Sequence, residues 1–367
     1  MTDTRFSMSG GAALRGIHTQ EEILSQPRCW SECWRALEDN DHLGQVARQL
    51  GVAPEWIFIG CGSSYYVAQA AAASWTALTG QRGWAVPASE LLLYPELVLP
   101  RKTSCQPVLI SRSGHTSEIL QAAEWLELKQ NIRTLAVSCA THQALEGIAT
   151  ATLYLLPADE QSMVMTRSFS SMVLALQGLA AVVGDRPGSL ASLKKLPDQA
   201  GPLVDGLPPR IRQFVESHDF ANYVVLAQGP FVGVACEAGL KVQEMSCSYA
   251  QCYHTLEFRH GPKATVGPET LVVFMLSETG YDAEREVLAE VKGLGGTTFV
   301  IANHADAAVR QAADFLVELS LDVEELARLA ASIIPGQLLG LYTGLKKGHD
   351  PDRPRNLSRA VILDAGG

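Results

Sequence analysis

The 367-residue sequence predicts an α/β chain of two tandem, doubly wound halves, each a parallel sheet covered by helices on both faces. Three observations carry this expectation. An apolar run that ends in glycine and passes into a helical pattern occurs at Ile57-Phe-Ile-Gly-Cys-Gly62 and again at Val224-Val-Leu-Ala-Gln-Gly229, 167 positions later. A second strand–loop–helix unit repeats at nearly the same spacing, with Ser111-Arg-Ser-Gly-His-Thr-Ser-Glu118 matching Ser277-Glu-Thr-Gly-Tyr-Asp-Ala-Glu284. Third strands follow at Thr134–Val137 and Thr298–Ile301. The chain therefore holds two βαβαβ units in tandem, and such sheets take ligands at the C-terminal ends of their strands.

The elements follow in order. Thr19-Gln-Glu-Glu22 has the form of a capping box and is expected to open a helix running towards Leu37. Helical patterns run from Tyr66 to Leu78 and from Val234 to Met245 after the two glycine-ended strands. Between the halves, Gly184, Pro187, Gly188, Pro197, Gly201, Pro202, Gly206, Pro208 and Pro209 mark a linker. Val323 to Leu345 is helical by pattern, and a polar tail with Pro351, Pro354 and an apolar Ala360–Leu363 follows Lys346. The expected divisions are a helical extension over 1–50, a first half over 51–184, a linker over 185–209, a second half over 210–347 and a tail over 348–367.

At 47% hydrophobic and 19% charged residues the chain can build a substantial core. A net charge of -10 without any Lys/Arg-dense block argues against a nucleic-acid partner, so an anionic substrate has to be held by a local site. Eight cysteines without a C-x-x-C pair read as reduced intracellular thiols, with Cys29 and Cys33 packed one helical turn apart. Nine histidines form neither H-x-H nor H-E-x-x-H, so no metal site is expected. The N-terminus, with Thr4, Arg5 and Ser7 before Gly10-Gly11, lacks an apolar signal core. The longest apolar stretch, Met172 to Val183, is broken by Gln177 and too short to span a bilayer. A cytoplasmic protein without a membrane partner is expected.

The Ser111–Glu118 segment is the strongest candidate site. A short strand, Pro107 to Ile110, ends in the hydroxyls of Ser111, Ser113 and Thr116, and Ile119, Ala122, Ala123 and Leu126 then keep helix spacing. Strand, Gly/Ser loop and helix start together can cradle a phosphate. Backbone N–H groups and the positive helix end face the anion, Gly114 permits close approach, and Arg112 can add a charge-assisted bond. The competing reading is an ordinary turn whose Ser and Thr cap the helix. The repeat separates the two: the first half also keeps Ser63 and Ser64 after Gly62, whereas the second has Pro230, Phe231, Glu278 and Tyr281 in comparable places. One phosphate site, in the first half, is expected.

The second half supplies ionisable groups. Glu237, Lys241 and Glu244 fall at i, i+4 and i+7 on one helix face. A solvated face with ion pairs explains such a stripe; so does a carboxylate base beside an ammonium that favours its ionised form and stabilises charge on a sugar oxygen. In Glu257-Phe-Arg-His-Gly-Pro-Lys263, His260 sits on a Gly-Pro turn, either incidentally or as a proton shuttle.

Six motifs in order resemble the SIS (sugar isomerase) family, specifically the isomerase portion of glutamine–fructose-6-phosphate aminotransferase and its stand-alone deaminase and ketose/aldose isomerase relatives. They are His18–Pro27, Cys61-Gly-Ser-Ser-Tyr65, Ser111–Thr116, Glu237–Glu244, Phe258-Arg-His-Gly-Pro262 and Asp352-Arg-Pro-Arg-Asn-Leu357, and they span nearly the whole chain. The resemblance implies two flavodoxin-like SIS subdomains with an N-terminal helix and a C-terminal tail over the active site. It implies phosphate binding by Ser63, Ser64, Ser111, Arg112, Ser113 and Thr116, with arginine at a position usually glutamine in the aminotransferase. It further implies Glu244 as the C2-proton base with Glu237 and Lys241 beside it, and His260 as a ring-opening group contributed by the partner of a homodimer. Thr166 matches a residue near the bound sugar, within a segment, Glu160 to Phe169, that is otherwise divergent.

Two departures stand out. No glutaminase unit precedes the motifs, so glutamine is not the expected ammonia source. The family's tail reads Asn-Leu-Ala-Lys, and here it reads Asn356-Leu-Ser-Arg359; arginine keeps its charge but forms no imine. The expected function is aldose–ketose isomerisation with deamination of a hexosamine 6-phosphate, without a cofactor. Plain isomerisation and a non-catalytic phosphosugar sensor are the alternatives, and C4 stereochemistry is not encoded in these motifs.

Overall fold

The structure, a computed structural model, describes residues 15–51, 53–100 and 104–363. The segment read for a leader, around Thr4 to Gly11, and the tail beyond Leu363 lie outside the described residues. Three helices come first: α1 (Ile17–Leu24), α2 (Gln26–Glu38) and α3 (His42–Leu50). The first half runs β1 (Glu55–Gly60), α4 (Ser63–Thr79), β2 (Arg82–Pro87), α5 (Ala88–Leu93), α6 (Pro95–Val98), β3 (Cys105–Ile110), α7 (Ser117–Glu124), β4 (Leu135–Ser138), β5 (Ala151–Tyr154) and α8 (Arg167–Val183). Helix α9 (Pro187–Glu216) crosses to the second half. That half runs β6 (Asn222–Ala227), α10 (Phe231–Ser246), β7 (Tyr249–His254), β8 (Thr270–Met275), α11 (Tyr281–Gly293), β9 (Thr297–Ala302), α12 (Ala307–Ala312), β10 (Phe315–Glu318), α13 (Leu329–Ser332) and α14 (Ile334–Lys346).

Each half is a five-stranded, all-parallel sheet, and the orders β2-β1-β3-β4-β5 and β7-β6-β8-β9-β10 are one order used twice. The duplication expected from the sequence is thus present in the topology. The central strands are buried along almost their whole length, as parallel strands covered on both faces must be. The chain adds β2 on one side of β1 and β3 on the other, so the loops at 61–64 and 111–116 flank the crevice where such sheets bind ligands.

Two expectations change. Residues 185–209, read as a linker from their proline and glycine density, lie almost entirely within the continuous helix α9, which contains Pro197, Pro202, Pro208 and Pro209. Leu193, Leu196, Ala200, Leu203, Leu207, Ile211 and Phe214 are buried at helical spacing along it. Burial of each large apolar side chain contributes about 2 kcal/mol, so Leu193, Leu196, Leu203, Leu207, Ile211 and Phe214 together offset a cost of roughly 3 kcal/mol for each of the four interior prolines. Packing, not propensity, makes this helix.

The capping box is not formed either. Asp352, from the tail, accepts from Thr19 N and Thr19 Oγ1, both at 2.7 Å, and from His18 N at 3.2 Å, while Asp350 accepts from Gly16 N at 2.9 Å. The start of α1 is therefore capped from the far end of the chain. Glu22, freed from that role, reaches Ser162 instead. The apolar stretch Met172–Val183 lies in the buried helix α8, and among the described residues no helix is long and apolar enough to cross a membrane.

Candidate active site

The loop after β3 is built around glycine. Gly114 has φ +67°, and a Cβ there would lie 2.0 Å from Gln143 Oε1, so no other residue fits without displacing that amide. Ser111 Oγ accepts from Gly114 N at 3.1 Å and lies 3.3 Å from Thr116 Oγ1, and Ser113 Oγ accepts from His115 N at 3.2 Å. Thr116 is the N-cap residue of α7, yet its side chain makes no capping bond. Its hydroxyl instead faces that of Ser111, which disfavours the simple capping reading. The tail closes over this loop: Ser117 N donates to the Val361 carbonyl at 3.1 Å, and Leu363 N donates to Ser117 Oγ at 2.9 Å.

The second copy of the loop keeps the same internal bond, from Gly280 N to Ser277 Oγ at 2.9 Å. Its remaining donors are taken by the protein's own carboxylates. Glu284 accepts from Ser277 N and Oγ at 2.8 and 2.9 Å, and Glu325 accepts from Glu278 N and from Thr279 Oγ1. A phosphate would meet negative charge here, in keeping with the loss of anion binding expected for this half.

The helix stripe is not a solvated face. Glu237 and Lys241 are completely buried and the Glu244 side chain is 17% exposed. Helix α14 packs so closely on α10 that a Cβ on Gly340 would lie 2.8 Å from the Lys241 carbonyl, which excludes water from that side. Lys241 Nζ bonds Glu244 Oε2, donates to Ser63 Oγ at 3.1 Å and sits 3.1 Å from Glu237 Oε1. One ammonium thus joins the carboxylate of the second half to the hydroxyl loop of the first. Neither Glu237 oxygen has an aligned hydrogen bond. Burial, assisted by the charge of Glu244 and opposed by Lys241, pushes the Glu237 carboxyl up to about 8. Burial also works to discharge Lys241, but the two glutamates more than offset it and raise the ammonium above its usual value.

The Glu237 shift has a measurable consequence. The folded protein holds this proton more tightly than the unfolded chain, so the associated stability is complete below about pH 4.5 and is lost progressively as pH rises through about 8. Urea midpoints at pH 5.5 and 9 should show this fall, and Glu237→Gln should flatten it.

The Arg112 side chain, expected at the phosphate, is engaged within the protein. Its Nη1 pairs with the fully buried Glu160 at 2.9 Å and bonds the carbonyls of Ser162 and Val164, and its Nη2 bonds those of Met163 and Arg359. Only Nε lacks a partner. Desolvation would raise the Glu160 carboxyl, but Arg112 and bonds from Ser168 and Thr166 hold it below the usual range. Thr166 is likewise committed, donating from N at 2.6 Å and from Oγ1 at 2.8 Å to Glu160. Arg112 and Thr166 therefore shape the segment 160–168 and anchor the tail. Sequence reasoning missed Glu160, which lies in the segment divergent from the family, and the signal for it was a buried arginine in need of a partner.

Ser64 is buried beside Met165, its Oγ 3.9 Å from Sδ. Arg359 turns its side chain to Asp159 at the surface, and only its carbonyl meets Arg112. His260 is exposed on the loop after β7, where its backbone N bonds the Glu257 carbonyl. Among the described residues no hydrogen bond or ion pair joins its ring to Glu237, Lys241 or Glu244. No group of three or more metal-binding side chains occurs among the described residues.

These features define an α/β protein of paired, duplicated subdomains with a hydroxyl loop in one and a buried Glu-Lys-Glu cluster in the other. The chain belongs to the SIS domain family, whose model matches residues 50–182 and 222–339. Among curated relatives, the glutamine–fructose-6-phosphate aminotransferase (isomerizing) of Xylella fastidiosa is 27% identical over 94% of this chain, and that of Pyrococcus horikoshii is 28% identical over 94%. The chain spans 59% and 57% of the lengths of these two relatives. Glucosamine-6-phosphate deaminase from Thermotoga maritima superposes with a TM-score of 0.79 at 27% identity, covering 94% of this chain and all of that one. Tagatose-6-phosphate ketose/aldose isomerase from Escherichia coli superposes at 0.82 with 23% identity, over 97% and 98% of the two chains, and shares the fold.

Proposed function

We propose that this SIS-domain chain is a phosphosugar isomerase that deaminates a hexosamine 6-phosphate. The observation that carries the reading is Lys241, buried between Glu244 and Ser63, which sets a carboxylate beside the hydroxyl loop that follows β1. Ser63, Ser64, Ser111, Ser113 and Thr116 hold the phosphate and position the opened sugar. Glu244 takes the proton from C2 and returns it to C1, while Lys241 stabilises negative charge developing on the C1 oxygen. For an amino sugar the product is a C2 imine, which water hydrolyses to ammonia and a ketose 6-phosphate. Burial pushes the Glu237 carboxyl up to about 8, and Lys241 stands between it and Glu244. The 27% identity to a glucosamine-6-phosphate deaminase, spanning all of that chain, supports the amino substrate.

The test is a panel of hexose and hexosamine 6-phosphates, differing at C2 and C4, followed by NMR for ketose and ammonia. Ammonia from a hexosamine phosphate is the expected result. Ketose–aldose exchange without ammonia would leave plain isomerisation, and tight binding of a panel member with no turnover of any would overturn the enzyme reading in favour of a sensor.

His260 acts, in this reading, across a homodimer. Glu244→Gln and His260→Asn variants, each inactive alone, should then regain roughly a quarter of wild-type activity when subunits are exchanged, because a two-fold dimer rebuilds one intact site in half of the pairs. Absence of any recovery after verified subunit exchange would place His260 in its own chain's site or outside it.

A further inference from the structure

On the side of Glu244 lined by neither hydroxyl loop, the molecule opens into a cleft of about 220 Å³. Glu244, Met245 and Cys247 from the end of α10 form one wall, and Arg15 and the segment from Gly348 to Arg355 form the rest. In a chain of net charge -10, three arginines line this one cleft. Among the described residues, none of Arg15, Arg353 and Arg355 forms an ion pair, although most other arginines do. The two acidic residues in the lining are spoken for: Glu244 Oε2 bonds Lys241 Nζ, and Asp350 Oδ1 accepts from Gly16 N and from Asp352 N. His349 records the surplus of positive charge, because desolvation together with Arg355, Lys347 and Arg15 holds its imidazole below the usual value.

The wall is also pre-organised. Arg15 Nη1 donates to the Gly348 carbonyl, and Asp350 and Asp352 lace the tail to the start of α1. The backbone that carries Arg353 and Arg355 is thereby fixed beside Arg15, and the planar fork of an arginine suits carboxylate and phosphate alike. We propose that Arg15, Arg353 and Arg355 form a second anion subsite beside Glu244, for a carboxylate or phosphate other than the phosphate held by the hydroxyl loops. It extends the proposed function. Glu244 works at C1 and C2, so an anion in this cleft either is carried by the nitrogen substituent of the sugar or is a separate small dianion that reports on metabolism at the reacting end.

The probe is succinate, a dianion without a sugar, measured by calorimetry at low ionic strength. Wild type should bind it saturably and more weakly as salt rises. The R353Q/R355Q variant should lose about tenfold or more in affinity, equivalent to about 1.4 kcal/mol. R353K/R355K should recover part of it, and S113A/T116A should bind as wild type does. Thermal midpoints confirm that these surface variants fold. Glucosamine 6-phosphate carrying a carboxymethyl group on its nitrogen distinguishes the sources. Displacement of succinate by that compound, with about tenfold tighter binding than the unmodified amino sugar, assigns the anion to the substrate; simultaneous binding of succinate and the compound assigns it to an effector. No saturable succinate binding, or equal binding to wild type and R353Q/R355Q, overturns the subsite. That outcome is independent of turnover, so it is distinct from failure of the isomerase reading.

Discussion

Glu244→Gln is expected to lower turnover by about 10²–10⁴-fold while leaving sugar-phosphate affinity within a few-fold. The amide keeps the size of the side chain and can still accept from Lys241 Nζ, so the buried cluster retains its packing and its link to Ser63. It cannot take a proton from carbon. Steady-state rates and exchange of the C2 hydrogen with deuterated water separate these effects. Turnover or C2 exchange that survives in the variant would place the base elsewhere, and a loss confined to KM would make Glu244 a binding group.

Arg112→Met should be the most destabilising single change near the site. It strands Glu160, fully buried and held below the usual carboxylate range by that guanidinium, without its counter-charge. Breaking a buried pair from one side typically costs about 3–5 kcal/mol. Urea unfolding should show this as a large drop in midpoint. Glu160→Gln should cost less than Arg112→Met, since the amide still receives the Ser168 and Thr166 bonds, and the double variant should cost less than the two singles added. Because Arg112 also bonds the Arg359 carbonyl, protease cleavage of the tail should quicken in parallel. A midpoint within experimental scatter of wild type would show that the pair contributes nothing net, as happens for some buried ion pairs.

The sequence showed the fold through its repetition. Two glycine-ended strands and two serine or threonine loops, both recurring at almost the same spacing, correspond to sheets of identical strand order. The Glu237, Lys241 and Glu244 spacing likewise showed which side chains share a helix face, though not that the face is buried; that depends on α14, whose close approach at Gly340 is a tertiary fact. Helix α9 was legible in principle, since Leu193 to Phe214 keep helical period, but four interior prolines drew attention to local propensity instead. The partners of Arg112 and of the helix start at Thr19 were not legible for a different reason. Those partners, Glu160 and Asp352, are 48 and more than 300 positions away, and no local rule links residues at such distances. Local chemistry named the donors and acceptors; long-range packing chose among them.

The lacing of α1 to the tail carries a consequence for how the molecule is made. Gly16 to Asp350 and Thr19 to Asp352 are contacts between residues separated by more than 330 positions, so their formation requires nearly the whole polypeptide. Contacts of that sequence separation are entropically slow to form and come late in assembly. The two sheets can fold as they emerge during synthesis, but the wall beside Glu244 closes only after the last residues are made. Chains cut short before Asp350 should accumulate with both sheets formed and the cleft beside Glu244 unfinished, and hydrogen exchange should find the start of α1 unprotected in them.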